Sequence, residues 1–138
     1  MPRLHALLLA TVILGTPALA QTDAPPAGDA KAGEAVFKQC AACHKIGPGA
    51  TNSIGPELNG VVGRKAASVR GYSYSAAMKK SGLTWDEATL TKYLANPRQV
   101  VPGTKMIFVG LKKPKDIADV IAYLKQAGGT AQQNAGQK

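Results

Sequence analysis

Cys40, Cys43 and His44 are the residues best suited to chemistry, and they stand together in Cys40-Ala41-Ala42-Cys43-His44. Two thiols three positions apart point to one side of a helical turn. There both can add to the vinyl groups of a single haem and become thioethers, the C-x-x-C-H attachment pattern. The imidazole that follows directly reaches iron from the same side, and neutral imidazole is a standard axial donor. The same cysteine spacing also serves thiol–disulfide exchange and half of a zinc site. A zinc site needs a second ligand pair, yet these are the only cysteines and His5 is the only other histidine. A redox dithiol usually accompanies a βαβ pattern, and no strand-rich flank is visible. The pentapeptide therefore points to one covalently attached haem c, with its iron.

A haem held by one histidine is open on its other face. The remaining soft donors are Met78 and Met106, because Met1 and His5 fall in the leader described next. A thioether stabilises ferrous iron, so a His/Met pair raises the potential. Met106 lies 62 residues after His44 in a turn-rich segment behind Pro102-Gly103, and Met78 lies on a Lys-flanked amphipathic turn. Pattern alone leaves both open as ligand or as core filler.

The elements that must position these groups begin with a leader. A basic start at Met1-Pro2-Arg3, an apolar run from Ala6 to Leu14 and the ending Ala18-Leu19-Ala20 describe a cleavable secretory signal over residues 1–20. The apolar run is shorter than the ~20 residues that span a bilayer. Cleavage after Ala20 leaves 118 of 138 residues, enough for one small domain. The expected location is the periplasm, as a soluble monomer. Loss of Arg3 with the leader lowers the formal charge from +9 to +8. That charge favours acidic partners; no nucleic-acid fold signature is present, so nucleic acid is not among them.

Along the mature chain, residues 21–28 hold Pro25-Pro26 and read as a flexible lead-in. Asp29 is placed to cap a first helix running from about Ala30 to the cysteines, with Gly33 either at a tight helix crossing or merely tolerated. Residues 46–63 are rich in Gly, Pro and Asn and read as loop. Within it, the Pro56 carbonyl could orient His44 through Nδ1–H, or Pro56 could be an ordinary turn residue. Ser75 could cap a short helix over Ala76–Lys80. Thr84-Trp85-Asp86-Glu87 reads as a capping box with Thr84 at the cap, opening a helix that shows Leu90, Tyr93 and Leu94 on one face and stops at Asn96-Pro97. Pro114 suits the start of a last helix, with Ile117, Val120, Ile121 and Leu124 on its apolar face and Gly128 at its end. Residues 128–138 read as a frayed, flexible tail. Arg64, Tyr74 and Trp85 carry donors suited to haem propionates, although tyrosine and tryptophan also serve as core with a satisfied polar tip.

The stretch 29–127 resembles the class I c-type cytochromes, close to mitochondrial cytochrome c and its bacterial periplasmic relatives. The stretches that carry the resemblance are Cys40-Ala41-Ala42-Cys43-His44, Gly55-Pro56-Glu57-Leu58-Asn59-Gly60, Gly63-Arg64-Lys65, Gly82-Leu83-Thr84-Trp85, Tyr93-Leu94-Ala95-Asn96-Pro97, Pro102-Gly103-Thr104-Lys105-Met106-Ile107-Phe108 and Ile121-Ala122-Tyr123-Leu124-Lys125. The resemblance implies an all-α fold wrapped round covalent haem, with first and last helices crossing near Gly33, Phe37 and Tyr123. It implies Met106 as sixth ligand, Pro56 as the partner of His44, and Arg64, Tyr74 and Trp85 around the propionates. It also implies Tyr93 near the Met106 sulfur and Phe108 beside an exposed haem edge. Where many relatives carry Asn, this chain carries Met78, which bears on the polar network near the haem and keeps Met78 as a rival ligand.

The function expected is electron transport in a respiratory or photosynthetic chain, not enzyme catalysis. Lys38, Lys45, Lys79, Lys105, Lys112 and Lys113 are candidates to ring the haem edge. There they would steer acidic docking sites on membrane complexes such as a quinol–cytochrome c reductase, a terminal oxidase or a photosynthetic reaction centre. A peroxidase or gas sensor would need an open iron and a distal acid or base, and no spare histidine or suitably placed carboxylate is visible. A thiol redox protein would keep both thiols free and bind no haem.

Overall fold

Short local signals start each helix among the described residues. The computed structural model describes residues 26–135; the leader, His5, Arg3 and the first part of the lead-in lie outside them. Asp29 sits in extended backbone and its carboxylate accepts from the amides of Lys31 at 2.8 Å and Ala32 at 3.3 Å, opening α1, Ala30–Phe37. Capping of this kind satisfies amides that no helical carbonyl can reach. Regular helix stops at Phe37, short of the expected end at the cysteines. The next bonds, Gln39 N–H to Val36 O and Cys40 N–H to Phe37 O, are the tighter three-residue kind, and turns carry the chain on to Cys43.

Ser75 accepts from the amide of Met78 and opens α2, Ala76–Lys80. Helix α3, Glu87–Ala95, corrects the sequence reading of its cap. Its N-cap is Asp86, which accepts from Thr89 N–H at 2.7 Å. Thr84 is drawn away because its neighbours are paired with the 63–66 segment: Trp85 N–H bonds Arg64 O and Ala66 N–H bonds Leu83 O. That leaves Thr84 in an isolated antiparallel bridge with Lys65, the only β pairing among the described residues. Asn96 ends α3 and its side chain then caps α4, Pro97–Val100, so Pro97 both stops one helix and starts the next.

Helix α5, Pro114–Ala135, begins at the expected proline and buries Ile117, Val120, Ile121 and Leu124. It runs seven residues past Gly128, where an end was expected. Gly128 keeps helical backbone and uses its missing side chain for room: a Cβ there would lie 2.8 Å from Gly60 N and 3.2 Å from Leu58 O.

The principal helix contact is α1 on α5. Gly33 makes it possible, because a Cβ would collide with the Asp119 carbonyl oxygen and sit 2.9 Å from Tyr123 Cβ. Next to this crossing the Phe37 and Tyr123 rings meet at 5.1 Å. Asp119, buried on α5, accepts from Asp29 N–H at 2.7 Å and pairs with Lys115, tying the start of α1 to α5. Helix α3 packs on α4 and α5. The long irregular stretch between α1 and α2 is held by side chains: Asn59 bonds both N–H and O of Gly47, Asn52 donates to Arg70 O, and the Tyr72 hydroxyl donates to Ile54 O. Among the described residues, no helix is long and apolar enough to cross a membrane.

Candidate haem site

The turn after α1 sets the first part of the site. Cys43 N–H and His44 N–H both bond Cys40 O, at 3.0 and 2.9 Å, so two thiols and an imidazole share one turn. The thiols are not joined in a disulfide. Burial, reinforced by nearby Cys43, pushes the Cys40 thiol up. That is the reverse of the electropositive setting that activates redox cysteines. Among the described residues no group of three or more His, Cys, Asp or Glu side chains is arranged to hold a metal ion.

His44 is oriented by the loop that follows. Its Nδ1 lies 2.7 Å from Pro56 O; only an N–H can satisfy a carbonyl, so the proton is assigned to Nδ1 and the lone pair to Nε2. Burial holds the imidazole pKa below its ordinary value, against the smaller opposing pull of the Pro56 bond. His44 is therefore a neutral donor with one nitrogen presented for coordination.

Cys40, Cys43, His44, Pro56, Arg64, Tyr74, Trp85, Tyr93, Met106 and Phe108 all line one cavity of about 280 Å³. Phe37, Leu58, Val61, Leu94, Val120 and Leu124 complete much of its wall, drawing on the core that α1, α3 and α5 build. Met106 is set by three contacts. Its amide donates to Thr104 Oγ1 at 3.3 Å, Thr104 Oγ1 lies 3.3 Å from Tyr93 Oη, and the Tyr93 hydroxyl donates to Met106 Sδ at 3.5 Å. One assignment of protons satisfies all three in a closed ring: amide to threonine, threonine to tyrosine, tyrosine to sulfur. Burial raises the Tyr93 pKa, outweighing the Thr104 contact, so the phenol stays protonated as the donor. Met78 also lines the cavity and is buried on α2.

The polar wall is more engaged than the sequence suggested. Arg64 donates to Asn59 O at 2.6 Å, Glu57 O at 3.0 Å and Glu57 Oε1 at 3.2 Å, so it also braces the 57–59 loop. Tyr74 accepts from Val69 N–H at 3.4 Å and packs edge-on against Tyr72 at 4.8 Å; burial raises its pKa. Trp85 is buried against Tyr93, ring centres 4.7 Å apart. The six candidate docking lysines are all exposed, but only Lys105 lines the cavity, its amine on Ser73 O at 3.1 Å. Lys38, Lys45, Lys79, Lys112 and Lys113 lie off its lining.

Sequence reasoning missed several members of the lining: Thr104, Lys65, and the exposed Ile54 (73 %) and Ile107 (92 %). Thr104 had a signal, a hydroxyl two residues before a candidate ligand. The isoleucines had none, since exposure cannot be read from one apolar residue in a loop.

This donor set fits a covalently held haem: two unpaired thiols on one turn, a neutral imidazole with Nε2 presented, and a thioether whose sulfur accepts a hydrogen bond, all on one largely apolar cavity. The family model described as Cytochrome c matches residues 30–128. The chain is 64 % identical over 103 residues to a cytochrome c2 of Rhodomicrobium vannielii, covering 75 % of this chain and 82 % of that one. It is 52 % identical over 109 residues to a cytochrome c of Cannabis sativa, covering 78 % and 98 %. Among solved structures, cytochrome cH from Methylobacterium extorquens aligns with a TM-score of 0.68 at 54 % identity, over 72 % of this chain and 99 % of that one. The chain belongs to the cytochrome c family: it is an all-α electron carrier whose cofactor is covalently bound haem c, and not an enzyme.

Proposed function

We propose that the protein is an exported, periplasmic carrier that moves single electrons between membrane redox complexes. Cys40 and Cys43 would hold the haem through thioether bonds, and His44 and Met106 would donate to its iron. Haem c, when bound, supplies a one-electron Fe(III)/Fe(II) couple. The residues do the rest. The apolar wall excludes water and disfavours extra positive charge. The Tyr93 hydroxyl draws density from the Met106 sulfur, which works in the same direction. Pro56 O holds His44 in the tautomer that donates from Nε2, and Arg64, Tyr74 and Trp85 supply donors to the propionates.

The observation that carries this reading is the convergence of two thiols, an imidazole and a hydrogen-bonded thioether on one cavity. Docking is assigned to the cavity mouth, where Ile54 and Ile107 stand exposed. They give a small apolar contact, and the exposed lysines steer acidic partners toward it. Such interfaces are small and transient. The donor and acceptor fitting that surface are an acidic face of a quinol–cytochrome c reductase and of a terminal oxidase or reaction centre.

The deciding experiment is expression with haem-ligation machinery, followed by mass and thiol measurement. One haem mass added, no titratable thiol and a low-spin ferric spectrum with a sulfur-to-iron band are expected. Met106→Ala should abolish that band; its survival in Met106→Ala and loss in Met78→Leu would transfer the ligand role to Met78. A colourless product with two free thiols would overturn the reading.

A further inference from the structure

His44 is held at its edge by one hydrogen bond, Nδ1–H to Pro56 O at 2.7 Å. A single bond on the edge of a ring leaves it free to tilt and to turn about the line of that bond. Something else must fix the plane. The structure places the backbone of Gly55 against the ring: a Cβ built there would fall on Cε1, with Nδ1 at 2.7 Å and Nε2 at 2.9 Å. Closeness to all three atoms at once puts that point over the face of the imidazole and not beyond its rim.

Gly55 is buried, and its φ lies outside the left-handed region that favours glycine. The backbone would accept any residue; only the ring forbids a side chain. The contact is also firmly backed. Gly55 N–H donates to Cys43 O at 2.7 Å and Gly55 O accepts from Ser53 N–H at 2.9 Å, so the peptide on the ring face is anchored to the residue before His44 and to its own loop. Edge and face are then held by consecutive residues, Gly55 and Pro56.

We propose that Gly55 is a positioning residue for His44, its bare backbone fixing the plane of the imidazole and hence the orientation in which Nε2 is presented. The proposal rests on the reading of His44 as an axial ligand. Ligand-plane orientation sets the rhombic splitting of low-spin ferric iron and the order of the haem methyl hyperfine shifts. These signatures respond to rotation of the ring, not to loss of global stability.

The test compares Gly55→Ala with Gly33→Ala in the full haem-loaded protein. Both insert a Cβ where it meets neighbouring atoms, but Gly33 lies at the α1–α5 crossing, against Asp119 and Tyr123. Gly55→Ala is expected to change the g-value spread and the methyl shift order, with Gly33→Ala matching the unsubstituted protein in both. Equal signatures in Gly55→Ala and the unsubstituted protein, or equal changes in both variants, would overturn the proposal. Should Gly55→Ala not fold, the reduced, diamagnetic unsubstituted protein still decides. A strong cross-relaxation peak between Gly55 Hα and His44 Hε1 is expected, and its absence rejects the contact. A protein without covalent haem, or one whose axial histidine signature survives His44→Ala, would instead sink the ligand reading itself.

Discussion

At the scale of the residue, the ring of bonds through Met106, Thr104 and Tyr93 makes a quantitative statement. Tyr93→Phe removes the donor to sulfur while keeping the aromatic ring on Trp85. A neutral hydrogen bond contributes about 1 kcal/mol, and for one electron that corresponds to about 40 mV. With Met106 as the proposed ligand, the sulfur then donates more strongly and the ferric form gains, so the midpoint potential should fall by tens of millivolts in equilibrium redox titration. Ala67 is a second local case. It holds φ of 59°, the only non-glycine with positive φ among the described residues. A side chain there costs roughly 1–2 kcal/mol, and glycine returns part of that through a freer unfolded chain. Ala67→Gly should therefore stabilise the fold by about 0.5 kcal/mol, read from the denaturant midpoint.

At the scale of the element, legibility followed how local the signal was. Asp29, Ser75 and Pro114 open helices where the sequence placed them, because a cap or an N-terminal proline acts within one turn. The Thr84 cap failed because pairing of the 63–66 and 83–85 segments is a contact between distant positions that took Thr84 out of play. The end at Gly128 failed for a related reason, since its glycine answers to the 58–60 loop and not to a helix stop. Cys40, Cys43 and His44 were legible from spacing alone, whereas Tyr93 and Phe108, and the choice of Met106 over Met78, came through a resemblance that carries three-dimensional information single residues lack; all ten proposed cofactor residues line one cavity. The α1–α5 tie makes its own prediction. Asp29 N–H, then Lys115, hold the Asp119 carboxyl below the usual carboxylate range. A depressed folded pKa contributes stability above the unfolded value, about 4, and loses it as pH falls through the folded one. Asp119→Asn should lower the denaturant midpoint at pH 7 and flatten its decline below about pH 4.

At the scale of the whole molecule, the formal charge of +8 left once the leader is lost and the exposed isoleucines divide the proposed encounter into two stages. Steering by lysines acts at range and is screened by salt; apolar contact acts only after arrival. The rate of reduction by a membrane complex should fall steeply with ionic strength. Lys113→Gln should lower that slope, while Ile107→Ser should lower the rate severalfold at every salt concentration and leave the slope unchanged. A flat profile in the unsubstituted protein would reject steering. The seam between α1 and α5 has one more consequence, for the order of assembly. Eight residues are too few to stay helical unaided, and the partner of α1 begins at Pro114. In chain order, the turn bearing both thiols precedes its clasp by more than seventy positions. Through that interval the helix leading into Cys40 and Cys43 has no partner, and the seam that steadies it closes only when the final helix arrives.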